Sequence, residues 1–440
     1  MAIPSTSHCR SNYPMQVIFA VAKHLTASML SYQTHTLANG LTVVAHYDAG
    51  SPLFSMNIIY RVGSRDEDAG RTGFAHLFEH LMFGGSVNIP RYDEPLQKAG
   101  GTNNAFTNSD FTSYYLTLPA ANAETAFWLE SDRMLGLAFS EKSLEVQRGV
   151  VVEEFRQNYL NQPYGDIWLL MRPLAYTIHP YRWPTIGMKP EHIEQAQLDD
   201  VRAFFRKYYH PANAVMAVAG SIKPEKVFSL AEKWFGPIPS NEVPDRAVPA
   251  EPPQRQPRWK HHEAKVPNSL IVKAWPIPGR HTADYYTADL LSDLLGSGYS
   301  SRLFTQLVKK KHLFAEVSAW VSGDEHPGLL IISGKLNNQV SFEQADESIQ
   351  QVLKQITEQG PLNDEVRKVK NRYITQRAFS LQGVEDKAQT LAESTYYGNT
   401  ALANETPKHY MAVSGKMMQD FASRYLTATS SNTLYYAVSQ

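Results

Sequence analysis

A chain of 440 residues with 43% hydrophobic and 11% aromatic content has enough apolar material for two or more sizeable cores, which excludes disorder as the default state. A net charge of −1 with a sequence pI near 7.0 leaves no basic footprint, so neither nucleic acid nor an anionic membrane is expected as a partner. The one cysteine, Cys9, can neither close an internal disulfide nor build a thiolate metal site. Residues 1–31 read as an N-terminal extension. Within it, Val17 to Ala22 follows Arg10 and ends in an Ala-x-Ala pattern, loosely like a signal peptide, but its charged region is thin and its apolar core short. No apolar run approaches bilayer length, and the expected compartment is the cytoplasm ahead of the periplasm.

From Tyr32 to Val62 the pattern is of strands: Asn39-Gly40 is a hairpin turn, followed by apolar runs at Leu41 to Ala45 and Phe54 to Tyr60. The next stretch, Gly73 to Phe83, contains His76-Leu77-Phe78-Glu79-His80. On a helix His76 and His80 project from one face about 6 Å apart along the axis, with Glu79 beside them. Two imidazoles on a metal with a glutamate as base for a water is the chemistry of the H-x-x-E-H order. Fifteen histidines in the chain would produce this order by chance about 0.03 times. Phe74, Leu77, Leu81 and Met82 can pack the opposite side of the helix.

Gly100 to Thr107 reads as a loop entering a strand, and Thr112 to Leu118 alternates as a half-buried strand does. Helices are expected over about 121–133, 141–158 and 202–208, then a buried strand at Ala214 to Ala219. Seven prolines between Pro237 and Pro257 mark residues 237–258 as a linker. The remainder, 259–440, restates the first domain (32–236) without its H-x-x-E-H: a strand at Leu270 to Trp275, a helix over 283–295, and a strand at Leu329 to Ile332. Phe204-x-x-x-Tyr208 leading to Asn213 and Val215 to Val218 is echoed by Phe421-x-x-x-Tyr425 leading to Asn432 and Leu434 to Val438, an offset of 425 − 208 = 217 residues. The fold class is therefore α+β: two similar domains, each a mainly antiparallel sheet backed by helices. Gly296-Ser297-Gly298 reads as a helix-ending turn, the adjacent His261 and His262 as surface residues, and Lys309 to Lys311 as a solvated helix end.

A catalytic zinc takes three protein ligands and keeps a fourth position open, so a carboxylate must join the two histidines. The helix through Gln147 to Glu154 offers Glu153 and Glu154, which diverge by about 100° so that only one can face the metal. Spacing alone does not choose between them.

Taken together, Gly73 to Gly85, Gly100 to Thr107 and Arg148 to Glu154 resemble the pitrilysin or inverzincin (M16) family of metallopeptidases, and the length resembles its two-domain M16B branch. The resemblance implies one zinc ion held by His76, His80 and Glu154, with Glu79 as the base in hydrolysis of peptides. It also implies that Asn103, Asn104, Ala105 and Phe106 present a strand edge to an extended substrate. There are two departures. Gln147 stands where the family often has an acidic residue supporting the ligands; an amide there can still hydrogen-bond a ligand but brings no negative charge. Val308 and Ala315 stand where active relatives carry an arginine and a tyrosine that hold substrate, with Arg302 or Tyr299 as the nearest replacements. That absence suggests a heterodimer in which a similar subunit supplies the missing pair. The alternatives are a self-sufficient homodimeric peptidase and a non-catalytic assembly subunit of the same fold.

Overall fold

Two sheets of the same connectivity carry the fold. A computed structural model of the chain describes residues 29–439; Cys9 and the run from Val17 to Ala22 lie outside the described residues. The first sheet contains β1 (Gln33–Thr36), β2 (Thr42–Tyr47), β3 (Leu53–Tyr60), β4 (Thr102–Thr107), β5 (Thr112–Pro119) and β6 (Ala214–Gly220), in the order β1-β2-β6-β3-β5-β4. The second contains β7 (Arg258–Ala264), β8 (Leu270–Ile277), β9 (Phe314–Val321), β10 (Gly328–Leu336) and β11 (Asn432–Val438), in the order β7-β11-β8-β10-β9. Leaving β1 aside, the orders coincide. In each, the last strand inserts beside the first and runs parallel to it (β6 with β2, β11 with β7), while the other pairs are antiparallel. The Phe-x-x-x-Tyr echo marks the helices Leu198–Tyr208 and Gly415–Tyr425 that feed these inserted strands. The Asn39-Gly40 turn joins β1 to β2, with Gly40 at a φ of 91°.

The expectation of sheets backed by helices is met with an exchange between the halves. The helix α1 (Phe74–Leu81) and α2 (Glu141–Phe155) pack into the first core, which includes Ile58, Leu77, Phe78 and Val151. However, α3 (Ile167–Ala175) lies on the second sheet, where Met171, Ala175, Tyr176 and Tyr181 pack with Val272, Ala274, Ile331 and Leu434. Reciprocally, α4 (Val384–Tyr396) lies on the first sheet, where Leu391, Ala392 and Tyr396 pack with Val44, Ile59, Val215 and Ala217. The two exchanged helices begin 384 − 167 = 217 residues apart, the offset of the sequence repeat. Sandwiching explains why β6 is buried at every position. Among the described residues no helix is long and apolar enough to cross a membrane.

Polar groups fasten the same seam. The buried Arg65 guanidinium meets Asp110 at 2.9 Å and Glu325 at 2.9 Å. Asp110 also accepts from the Tyr181 hydroxyl at 2.5 Å and the Glu325 backbone N–H at 2.8 Å. Residues 239–257 form neither helix nor strand, in keeping with their prolines, yet two side chains fix their course. Arg246 donates twice to Asp66, at 2.9 and 2.8 Å, and Glu251 accepts from the backbone N–H groups of Thr177, Ile178 and His179 at 2.8 to 3.0 Å.

Burial in this seam holds His179 down to about 4, with His326 and Arg65 adding repulsion. The unfolded chain then takes up a proton near pH 6.5 that the folded chain refuses, so stability falls as pH drops from about 6.5 towards 4, by on the order of 1 kcal/mol per pH unit. His179→Asn keeps a side-chain acceptor for the Tyr181 N–H that the His179 Nδ1 now receives. Denaturant melts of this variant are expected to show a shallower decline across that window.

Candidate metal centre

Gly73 starts α1 at a φ of 89°, where an added Cβ would come within 2.5 Å of the Ile186 carbonyl oxygen and Ile193. The Glu67 carboxylate caps the helix by accepting from the Gly73 and Ala75 N–H groups at 2.9 and 2.8 Å. As the apolar spacing predicts, Phe74, Leu77, Leu81 and Met82 are buried. Phe78 joins them, with its ring 4.4 Å from that of Tyr209 and 5.2 Å from that of Phe204. This anchored back face leaves His76 and His80 together at the front, ring centroids 4.8 Å apart.

The third group arrives on α2, which starts at a Ser140 cap accepting from the Ser143 N–H. Val151, Val152 and Phe155 turn inward and set the rotation of its last turn. Glu154 therefore faces α1, with Oε2 3.9 Å from His76 Nε2 and 3.6 Å from His80 Nε2. Glu153 is exposed and accepts from the Gln157 side chain at 3.0 Å, so of the two acids only Glu154 comes beside the histidines. Ligand atoms on one tetrahedral zinc lie about 3.4 Å apart, given metal–ligand bonds of roughly 2.0–2.2 Å. His76, His80 and Glu154 offer one donor atom each within 4.8 Å of one another, so the donor set and its spacing fit zinc. Burial holds His76 down to about 4, neutral and able to ligate. The His80 imidazole 3.6 Å away, with His76 beside it, keeps the Glu154 carboxyl below the usual carboxylate range, and therefore ionised.

Glu79 sits beside this set, and burial pushes its carboxyl up. Thr107, the last residue of β4, opposes that shift by donating its hydroxyl to Glu79 Oε2 at 2.5 Å. Asn103, Asn104, Ala105 and Phe106 all lie on β4, the outer strand of the first sheet, which pairs with β5 alone. The Asn103 amide donates to Asp93 at 2.8 Å, and Asn104 accepts from the neighbouring Ala105 N–H at 2.9 Å. Among the described residues Gln147 makes no side-chain hydrogen bond to His76, His80 or Glu154, and the buried His76 Nδ1 has no partner. Sequence reasoning missed Glu67 and Thr107. The first is a cap acting from outside its helix, and the second needs the position of β4 against α1.

In the second domain the helix Ala283–Gly296 ends at the expected turn, with Gly298 at a φ of 79°. Val308 and Ala315 fall in the helical segment Phe304–Lys310 and on β9. Arg302 is committed to Glu365, which takes two hydrogen bonds from it at 2.7 and 2.6 Å, while Tyr299 is 78% exposed. His261 and His262 point to opposite faces of β7. His261 stacks on Tyr435, whereas His262 lies 3.1 Å from Asp166 at the seam and is more than a surface residue.

Glu154→Gln is expected to weaken zinc binding by about 100-fold or more, and Glu153→Gln to leave it unchanged. Metal titration against a competing chelator distinguishes them.

Two family models match the chain. Residues 42–170 match one described as insulinase (peptidase family M16), and residues 195–373 match one described as peptidase M16 inactive domain. The chain is 28% identical to a zinc protease PqqE of Helicobacter pylori over 429 residues, covering 95% of this chain and 96% of that protein. It is 26% identical to an uncharacterized zinc protease, YmxG, of Bacillus subtilis, covering 80% of this chain and 85% of that one. A solved structure of a protease from Helicobacter pylori superposes with a TM-score of 0.88 at 26% identity, covering 93% of this chain and all of that one. A peptidase M16 inactive domain from Pseudomonas fluorescens superposes at 0.85 with 18% identity, covering 93% of this chain and 98% of that one, a likeness of fold.

Proposed function

Because the chain belongs to the M16 peptidase family, we propose that it is a zinc-dependent endopeptidase acting on peptides or oligopeptides. The observation that carries this reading is the convergence of His76, His80 and Glu154 beside a half-buried glutamate held by Thr107. When bound there, zinc supplies Lewis acidity to a carbonyl and makes a water more acidic. Glu79 takes the proton from the attacking water and returns it to the leaving amine. Thr107 holds Oε2 and leaves Oε1 for that transfer. The open edge of β4 at Asn103 to Phe106 pairs with an extended peptide through its backbone, which accommodates many sequences.

The chain is the zinc-bearing member of a heterodimer in this reading. Its second domain has Val308 and Ala315 in place of a substrate-holding arginine and tyrosine, and Arg302 is committed to Glu365. The experiment is to measure zinc in protein purified without added metal, then oligopeptide hydrolysis by the lone chain and by the chain mixed with a similar subunit carrying that pair. One zinc per chain with turnover that requires the partner supports both parts. Full turnover by the lone chain overturns the two-subunit part, and absence of zinc overturns the peptidase part.

A further inference from the structure

A cavity of about 220 Å³ lies between the halves of the chain. Its first-half walls are Tyr159, from the turn that continues α2 beyond Glu154, and Trp168 and Tyr176, on and just beyond α3. Its second-half walls are Trp320 on β9 with Leu329 and Ile331 on β10. The two indoles meet edge to face, 6.4 Å between centroids at 76°. Pockets for whole small molecules begin at about 300 Å³, so this one is sized for a single large side chain. An aromatic box of this kind prefers an aromatic ring.

Arg172, among the cavity's lining residues, gives one guanidinium N–H to the Tyr181 carbonyl at 3.1 Å, which fixes its charged head in the wall. Asp324 in the same wall can accept a peptide N–H. β9, like β4, is the outer strand of its sheet, so an extended chain can reach the box from that side.

We propose that this cavity is a specificity subsite that seats one aromatic side chain of the substrate between Trp168 and Trp320. The proposal rests on the peptidase reading for its substrate, and its test is built on binding so that the two can fail separately. The full-length chain carrying Glu79→Gln, loaded with zinc, is titrated with two decapeptides of Gly, Ser and Ala that differ only in a central Phe or Ala, following tryptophan fluorescence and calorimetry. The Phe peptide is expected to bind about tenfold more tightly. Trp320→Ala, in the same background, removes the difference, and Trp320→Phe restores most of it. Thermal melts accompany each variant; should Trp320→Ala melt early, Trp168→Leu serves as the second variant. Equal affinity for the two peptides, or a preference that survives in both tryptophan variants, overturns the subsite. Aromatic preference with no cleavage by the unmodified chain, either alone or mixed with a similar subunit carrying the arginine and tyrosine, overturns the peptidase reading and leaves the subsite standing. Cleavage without preference does the reverse.

Discussion

Glu79→Gln should leave one zinc per chain and lower kcat by about 10³- to 10⁴-fold, the range for removal of a positioned general base. The amide has the shape of the carboxylate and can still accept the Thr107 hydroxyl bond, so the fold and the placement of His76, His80 and Glu154 are undisturbed. What it lacks is a site for the proton. Because Glu79 is one turn from His76 and adjacent to His80 in sequence, metal content must be measured on the same preparation, and single-turnover cleavage of an oligopeptide gives the chemical step. Thr107→Val is the matched control: it removes the orienting donor while keeping the base, so its loss should be much smaller. Activity retained in Glu79→Gln with zinc in place would mean that another group takes the proton.

Asp110→Ala is expected to destabilise the folded chain by about 3–5 kcal/mol, the usual result of removing one partner from a buried ion pair. Arg65 and Asp110 are each 3% exposed at the side chain. Truncation would leave the guanidinium with Glu325 alone, and the Tyr181 hydroxyl and the Glu325 N–H without the acceptor both now use. Asp110→Asn preserves the shape and one acceptor, so it should cost less. Removing the exposed pair of Lys416 and Asp420 should cost under about 1 kcal/mol. Denaturant midpoints with unchanged slope give these values, and a loss below about 1 kcal/mol in Asp110→Ala would show that solvent reaches the seam and screens the pair.

How much of this could be read from the chain follows the range of each interaction. The pairing of His76 with His80 was legible because helix geometry alone brings positions four apart together. Glu154 was not, since it lies 154 − 80 = 74 residues beyond His80; resemblance named it, and the inward packing of Val151, Val152 and Phe155 is the physical reason it prevails over Glu153. The repeated Phe-x-x-x-Tyr helix and following apolar strand revealed two like domains. β7 escaped notice because its residues, Arg258 to Ala264, are mostly polar, as suits the edge of a sheet. The crossing of α3 and α4 was equally hidden: an apolar stripe records that a helix is buried, without recording against which sheet. Gln147 lies two turns before Glu154 on α2, and its amide makes no side-chain hydrogen bond to His76, His80 or Glu154 among the described residues.

The crossing of α3 and α4 bears on how a peptide gains entry. Each half clasps the other with a helix threaded over its far sheet, so a protease nick in the proline-bearing segment 239–257 would cut the chain without releasing the pieces. A hinge at that segment is likewise denied, since opening it would strip two sheets of their covers. Both halves of the chain must then move together, as one rigid body.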